Sequence, residues 1–204
     1  LPDLILDCAG HSALREFAPK SLSLGIDFIT LSSGALADEK LFNKINRASK
    51  LSNGNFYVAS GAIGSLDVLL AAKVGGLSKV TYIGRKPPKG WLGSRAEEIL
   101  NMKNLKGKTN VHFSGNARDA ALLYPKNANV AASVALAGLG FDKTIVKLIA
   151  DSTIEKNIHE LEIEGKFGVS NFIIKGLTLP SNPKSSSLAA MSMVSEVKKV
   201  LGKS

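Results

Sequence analysis

The chain has 204 residues and a net charge of +9, with 45% hydrophobic and 21% charged side chains, an ordinary globular composition with room for one large domain or two small ones. No apolar run approaches the roughly 20 residues that cross a bilayer, and Leu1-Pro2-Asp3-Leu4 does not read as a signal peptide, so no membrane association is expected. The single cysteine, Cys8, excludes an internal disulfide and a cysteine zinc site, and the three histidines (11, 112 and 159) lack metal-like spacing.

No metal is therefore expected, and a reducing cytoplasm is the expected compartment. Lysines are spread along the chain, with small clusters at Arg85-Lys86…Lys89 and Lys198-Lys199. A nucleic-acid binder would show a focused basic stripe, and none is present. The charge reads either as a solvated surface or as a field that draws anionic small molecules such as dinucleotides or dicarboxylates. Leu1 stands where an initiator Met would, and a strand-like segment follows at once. The expectation is a sequence that begins inside a longer protein.

In chain order, Leu4–Gly10 reads as a short buried strand ending at glycine. A helix over 12–24 follows, with Leu14, Phe17, Ala18 and Leu22 as its apolar stripe and Gly25 as its stop; Pro19 predicts a kink or a late start. Residues 27–32 form the next strand, and Asp38 caps a helix over 39–50. Phe56–Ala59 is a third strand, followed by a helix near 64–74. Strand, helix, strand, helix, strand predicts a parallel α/β sheet. Strands then follow at 79–84, 110–114, 144–150, 158–165 and 169–174, and helices at 116–123 and 129–138. The later strands leave little room for helices between them, which predicts a mixed, largely antiparallel sheet. Arg85 and Lys86 fall in a loop, 178–187 is a connecting loop, and 187–201 is an amphipathic helix.

Ligands of parallel α/β sheets sit beyond the carboxyl ends of the strands. Here those ends are Cys8-Ala9-Gly10, Ser32-Ser33-Gly34-Ala35 and Ser60-Gly61-Ala62, all small residues that let a cofactor approach the backbone. The alternative is that these glycines only serve tight turns. The sequence contains no G-x-G-x-x-G turn, so the three strands read as the second half of a dinucleotide fold. In Asn157-Ile158-His159-Glu160-Leu161-Glu162-Ile163-Glu164-Gly165, strand alternation puts His159, Leu161 and Ile163 on one face and three glutamates on the other. His159 is thus placed on a covered side, as a core histidine or as a group that exchanges protons near neutral pH.

Ser60–Asp67, Tyr124–Ala132 and Asn157–Gly165, together with Leu24–Asp27, Ser33–Asp38 and Gly115–Ala120, resemble the signature segments of L-aspartate dehydrogenases, in order over nearly the whole chain. The resemblance implies an α/β protein: the second half of a Rossmann-type sheet in residues 1–62, then an α+β substrate and dimerisation domain in 63–204 whose last helix returns to the first. It implies NAD- or NADP-dependent oxidation of L-aspartate to iminoaspartate, then oxaloacetate and ammonia, feeding NAD biosynthesis in a cytoplasmic homodimer. It puts the active-site histidine on His159 and cofactor contacts on Ala62 and Asn129. Cys8, Ala9, Gly34 and Ala35 join these as strand-end contacts. Asn129 also reads as a simple helix cap, with Asn127 its nearest competitor. A dicarboxylate needs cations, and Arg85, Lys86, Arg118 and Lys126 are the candidates. The alternatives are a dehydrogenase for another amino acid and a non-catalytic dimerisation fragment, the latter favoured by the missing glycine-rich turn.

Overall fold

A computed structural model describes residues 1–179 and 182–203. Three parallel strands, β1 (Leu4–Asp7), β2 (Asp27–Thr30) and β3 (Phe56–Val58), form the first sheet in sequential order. Helices α1 (His11–Ser23) and α2 (Glu39–Lys50) are their crossovers. Leu14, Ala18, Leu22, Leu41 and Ile45 of these helices pack with Phe28 of β2 in the main core. Ile29, one residue on, points to the other face and meets Met193 in a second cluster. Met193 belongs to α7 (Ser187–Val200), so the last helix covers the far side of the first sheet.

Local sequence explains the helix ends. Asp38 caps α2: its carboxylate accepts the N–H groups of Lys40 and Leu41, and Arg47 and Lys50 face the carboxyl end of the helix dipole. Arg15 of α1 binds the same carboxylate at 2.6 Å and holds it below the usual range. Helix α1 starts at His11 and runs on through the buried Pro19, so the expected late start is not seen.

The second sheet has five strands in the order β5 (Thr109–Asn116), β6 (Ile145–Asp151), β4 (Leu77–Lys86), β7 (Asn157–Gly165) and β8 (Gly168–Gly176). Only the β4–β6 pair is parallel, giving the mixed, largely antiparallel sheet that the strand spacing predicts. Its inner face carries Val80, Tyr82, Val146, Leu148, Leu161 and Ile163 against α3 (Leu66–Gly75), α5 (Ala117–Leu123) and α6 (Asn129–Ala137). A short helix α4 (Ala96–Ile99) lies in the excursion between β4 and β5.

Two expected loops are strands. Arg85 and Lys86 are the last residues of β4, paired with both neighbours through Arg85. Thr178–Leu179 (β9) and Asn182–Ser186 (β10) pair antiparallel where a plain loop is expected; residues 180 and 181 lie outside the described residues. Helix α6 joins the two sheets. Ser33, in a 3-10 turn over Ser33–Ala37, donates from its hydroxyl to the Asn129 carbonyl at 2.7 Å and lies 3.0 Å from the Ser133 hydroxyl.

Candidate active site

A cavity of about 250 Å3 opens between the two sheets. All three carboxyl ends of the parallel strands reach it, through Cys8 and Gly10, Leu31 and Ser32, and Gly61 and Ala62. Asp7 shapes the first two ends. One carboxylate oxygen accepts the N–H groups of Ala9 and Gly10, and the other accepts the Thr30 hydroxyl at 2.7 Å. The Thr30 oxygen then accepts the Ser32 N–H at 2.8 Å. The third end is held by Ser192 of α7, whose hydroxyl accepts the Gly61 N–H.

The opposite wall comes from the second sheet and from α6. Lys86, Asn157 and His159 share its inner face, joined by Asn127, Asn129, Val130 and Ser133. His159 is 4% exposed, and its Nδ1 lies 2.7 Å from the Tyr82 hydroxyl. The expected alternation holds: His159, Leu161 and Ile163 are buried, and Glu160 and Glu164 face outward to ion pairs with Arg85 and Lys79. The expected titration near neutral pH does not hold. Burial, and then the charge of Lys86, lower the His159 pKa to about 4, so the ring is neutral at pH 7.

Lys86 is the unusual cation. It is half-buried, and none of the described carboxylates pairs with it. Its Nζ sits 4.9 Å above the ring of the buried Trp91. Burial pushes its pKa down to about 8. The same charge, after burial, helps lower His112 to about 4; that ring lies edge-on to Trp91 and takes its Nδ1 contact from Tyr124 at 3.0 Å. Lys126 also lines the cavity, whereas none of the described residues lining it is a carboxylate.

The other two candidate cations are elsewhere. Arg85 alternates to the outer face of the sheet, where Asp151 and Glu160 hold it. Arg118 sits at the start of α5, bound to Asp142, Glu39 and the Ala37 carbonyl. Neither lines the cavity, and both are corrections to the candidate substrate contacts. Ala9 is turned out to solvent by the Asp7 bonds, and Gly34 and Ala35 are buried beneath α6; of the strand-end candidates Cys8 lines the cavity, joined there by Gly10, Leu31 and Ser32.

Asn129 is the first residue of α6 rather than its cap, which is Ala128. Its side-chain oxygen accepts the Gly34 N–H at 3.0 Å and lies 2.9 Å from His11 Nε2. Because Gly34 N–H can only donate, the amide orientation is fixed, and the Asn129 NH2 has no bonded partner among the described residues. Asn127 donates instead to the Gly90 carbonyl at 3.3 Å. Tyr82 and Asn157 were not singled out from sequence. Asn157 lies two residues before His159 and Tyr82 four before Lys86, so strand alternation carried the signal for both.

Comparison with known proteins gives a consistent picture. Residues 1–59 match the family model described as homoserine dehydrogenase, NAD binding domain, and residues 67–200 the one described as aspartate dehydrogenase, C-terminal. An L-aspartate dehydrogenase of Ruegeria pomeroyi is 51% identical over 197 residues, 97% of this chain and 71% of that protein. One from Ralstonia nicotianae is 49% identical over 193 residues, 95% of this chain and 72% of that protein. The crystal structure of aspartate dehydrogenase from Thermotoga maritima superposes with a TM-score of 0.78 at 29% identity, covering 99% of this chain and 77% of that one. A hyperthermophilic archaeal homoserine dehydrogenase in complex with NADPH shares the fold at 10% identity, with a TM-score of 0.60 over 100% of this chain and 73% of that one.

Proposed function

Since the chain belongs to the L-aspartate dehydrogenase family, we propose that its inter-sheet cavity is where L-aspartate is oxidised to iminoaspartate, with Lys86 and His159 at the substrate. The enzyme is an oxidoreductase acting on an amino-acid CH–NH2 donor and uses NAD or NADP. The observation that carries the site assignment is the unpaired, half-buried Lys86 beside a neutral His159, in a cavity with no described carboxylate lining it. A buried cation without a partner is unfavourable unless a ligand supplies the anion. A dicarboxylate supplies two, and Lys126 at the cavity edge is the second cation.

The residues present fit the nicotinamide-bearing part of the cofactor. Gly10, Gly61 and Ala62 leave the strand ends without bulk, and Gly61 has a positive φ with open space where a Cβ would be. The free NH2 of Asn129 is a donor suited to a carboxamide oxygen. When bound, the cofactor would supply the hydride acceptor for the α-carbon of the substrate, with the amine proton released to solvent. This chain's own residues hold that carbon in place: Lys86 and Lys126 bind carboxylates, and His159 adds a hydrogen bond through Nε2. The product imine either hydrolyses to oxaloacetate and ammonia or passes on unhydrolysed into NAD biosynthesis.

We divide the chain into a nucleotide-binding part, residues 1–62, and a substrate and dimerisation part, 63–204. The homodimer contact is proposed on the outer face of the five-stranded sheet, where Val111, Ile145, Val169 and Ile173 are exposed. The exposed free thiol of Cys8 suits a cytoplasmic setting. No nucleic-acid or membrane partner is proposed. The test is L-aspartate-dependent reduction of NAD+ and NADP+ by the protein and by its His159→Ala and Lys86→Met variants. Loss of turnover in the first and a raised KM for aspartate in the second are expected; undiminished activity in both would overturn the assignment.

A further inference from the structure

Tyr82 reaches His159 in an unusual way. The two rings have centroids 6.1 Å apart and planes at 19°, while the hydroxyl lies 2.7 Å from Nδ1. At that separation the nearly parallel rings are offset rather than face to face, and the hydroxyl reaches Nδ1 at the edge of the imidazole. What allows this is Gly84. It lies directly opposite His159 in the β4–β7 register, and on the same face as Tyr82 two residues before it. A Cβ at Gly84 would fall 2.8 Å from the Tyr82 hydroxyl and 3.2 Å from two ring carbons. The missing side chain is the space through which the phenol crosses to the neighbouring strand.

The direction of that hydrogen bond follows from who else is in reach. Tyr82 is 1% exposed, and among the described residues Nδ1 of His159 is its hydroxyl's sole bonding partner. A buried hydroxyl proton without an acceptor is unfavourable, so the phenol donates and Nδ1 accepts. Burial also raises the phenol's own pKa, which keeps that proton on oxygen.

We propose that Tyr82, seated over Gly84, is a positioning residue that fixes His159 as its Nε2–H tautomer, so that the imidazole meets the cavity as a hydrogen-bond donor. The inference deepens the functional reading and rests on it for the acceptor, a carboxylate oxygen of the substrate. The charged and titratable groups around the ring agree with a donor. From β4 come Tyr82 and Lys86, from the α6 approach comes Lys126, and from the β1 end comes Cys8. The two ammonium groups can only donate, the Tyr82 hydroxyl is already the donor to Nδ1, and no described carboxylate is there to hold a second ring proton. A ring whose pKa is about 4 is also a poor proton acceptor at pH 7.

The test is 15N–1H correlation spectroscopy of the histidine side chains in the intact protein, with the His159 signals identified by their absence from His159→Ala. Wild type is expected to show a protonated Nε2 and an unprotonated, hydrogen-bonded Nδ1 from pH 6 to 8, a range chosen around the ordinary histidine pKa of roughly 6.5. Tyr82→Phe keeps the ring and deletes the donor. The two tautomers should then exchange, and the His159 pKa should rise by about one unit, since a donor to Nδ1 opposes protonation there. Gly84→Ala should give the same change with the phenol retained, because the methyl displaces its hydroxyl. A proton on Nδ1 in wild type, or an unchanged tautomer and pKa in Tyr82→Phe, would overturn the proposal. Full activity of His159→Ala would instead sink the functional reading and leave the tautomer result standing.

Discussion

Lys86→Met separates function from stability within one side chain. In the folded protein burial holds the Lys86 pKa at about 8, against 10.5 for the free group. That difference corresponds to roughly 3 kcal/mol of destabilisation while the amine is charged in both states. The side chain is only half-buried, and Met loses the Trp91 contact, worth about 0.5–1 kcal/mol. A net gain of about 1–2 kcal/mol at pH 7 is expected, or about 3–6 °C in Tm for a chain of this length. The pH dependence has a definite sign. Below pH 8 both states hold the proton and the gain is complete. Between 8 and 10.5 the unfolded chain binds more protons than the folded one, so wild type gains stability as pH rises. The variant's advantage should therefore shrink across that window and vanish above it. With Lys86 at the substrate as proposed, the same substitution removes a charge-assisted contact of about 1.5–3 kcal/mol, so KM for aspartate should rise about 10- to 100-fold. Thermal melts at pH 7, 9 and 10.5, beside steady-state kinetics, check both halves. A variant that melts lower than wild type by the same amount at every pH would refute the reasoning.

Arg118→Ala should leave KM for aspartate unchanged, because its guanidinium is taken by Asp142 and Glu39 away from the cavity, while Lys126→Ala should raise it several-fold; steady-state kinetics decide. Gly34→Ala should destabilise by about 1–3 kcal/mol in urea unfolding, since its Cβ would stand 2.8 Å from the Asn129 side-chain oxygen and 2.9 Å from the His11 ring. Asp38→Ala should lose about 1 kcal/mol of helix capping at pH 7. Its carboxyl pKa is lowered on folding, so that stability is present above the unfolded pKa and is lost on acidification through the folded one; the two denaturation curves should converge in acid. Ile173→Glu sets a carboxylate directly across from Glu160 on the outer sheet face; if the proposed homodimer contact lies there, light scattering should show the variant as a monomer.

What could be read from sequence was local. Asp38 announces α2 because a cap needs only the next three residues, and both bonds are found. The burial of His159 was legible because alternation around three glutamates needs no partner to be known. Asn129 was harder. The residue type and the helix start suggested a cap, but its oxygen is claimed by Gly34, 95 residues away, which no local pattern encodes. Arg85 was misplaced for a related reason: once residues 85 and 86 extend β4, alternation sends Arg85 out to Asp151 and Glu160 and leaves Lys86 facing in. The same parity argument that located His159 would have separated these two cations, had the strand's end been known.

The pKa of His159 is the clearest case of tertiary control. An imidazole invites the expectation of titration near neutral pH, and Glu160, Glu162 and Glu164 flank this one in sequence. The pleat sends all three carboxylates to the opposite face, where Arg85 and Lys79 engage two of them. The face that His159 occupies instead presents Lys86 and a phenol, and buries the ring. Sequence neighbours one to five residues along the chain are therefore electrostatically remote, while Lys86, 73 positions away, lowers the ring's pKa and Tyr82, 77 positions away, meets its Nδ1. Substituting Glu160→Gln and Glu162→Gln together should accordingly leave the His159 pKa where it is, whereas Lys86→Met should raise it. Histidine NMR titration of the two variants distinguishes control through space from control along the chain, and a shift in the first without one in the second would reverse the argument.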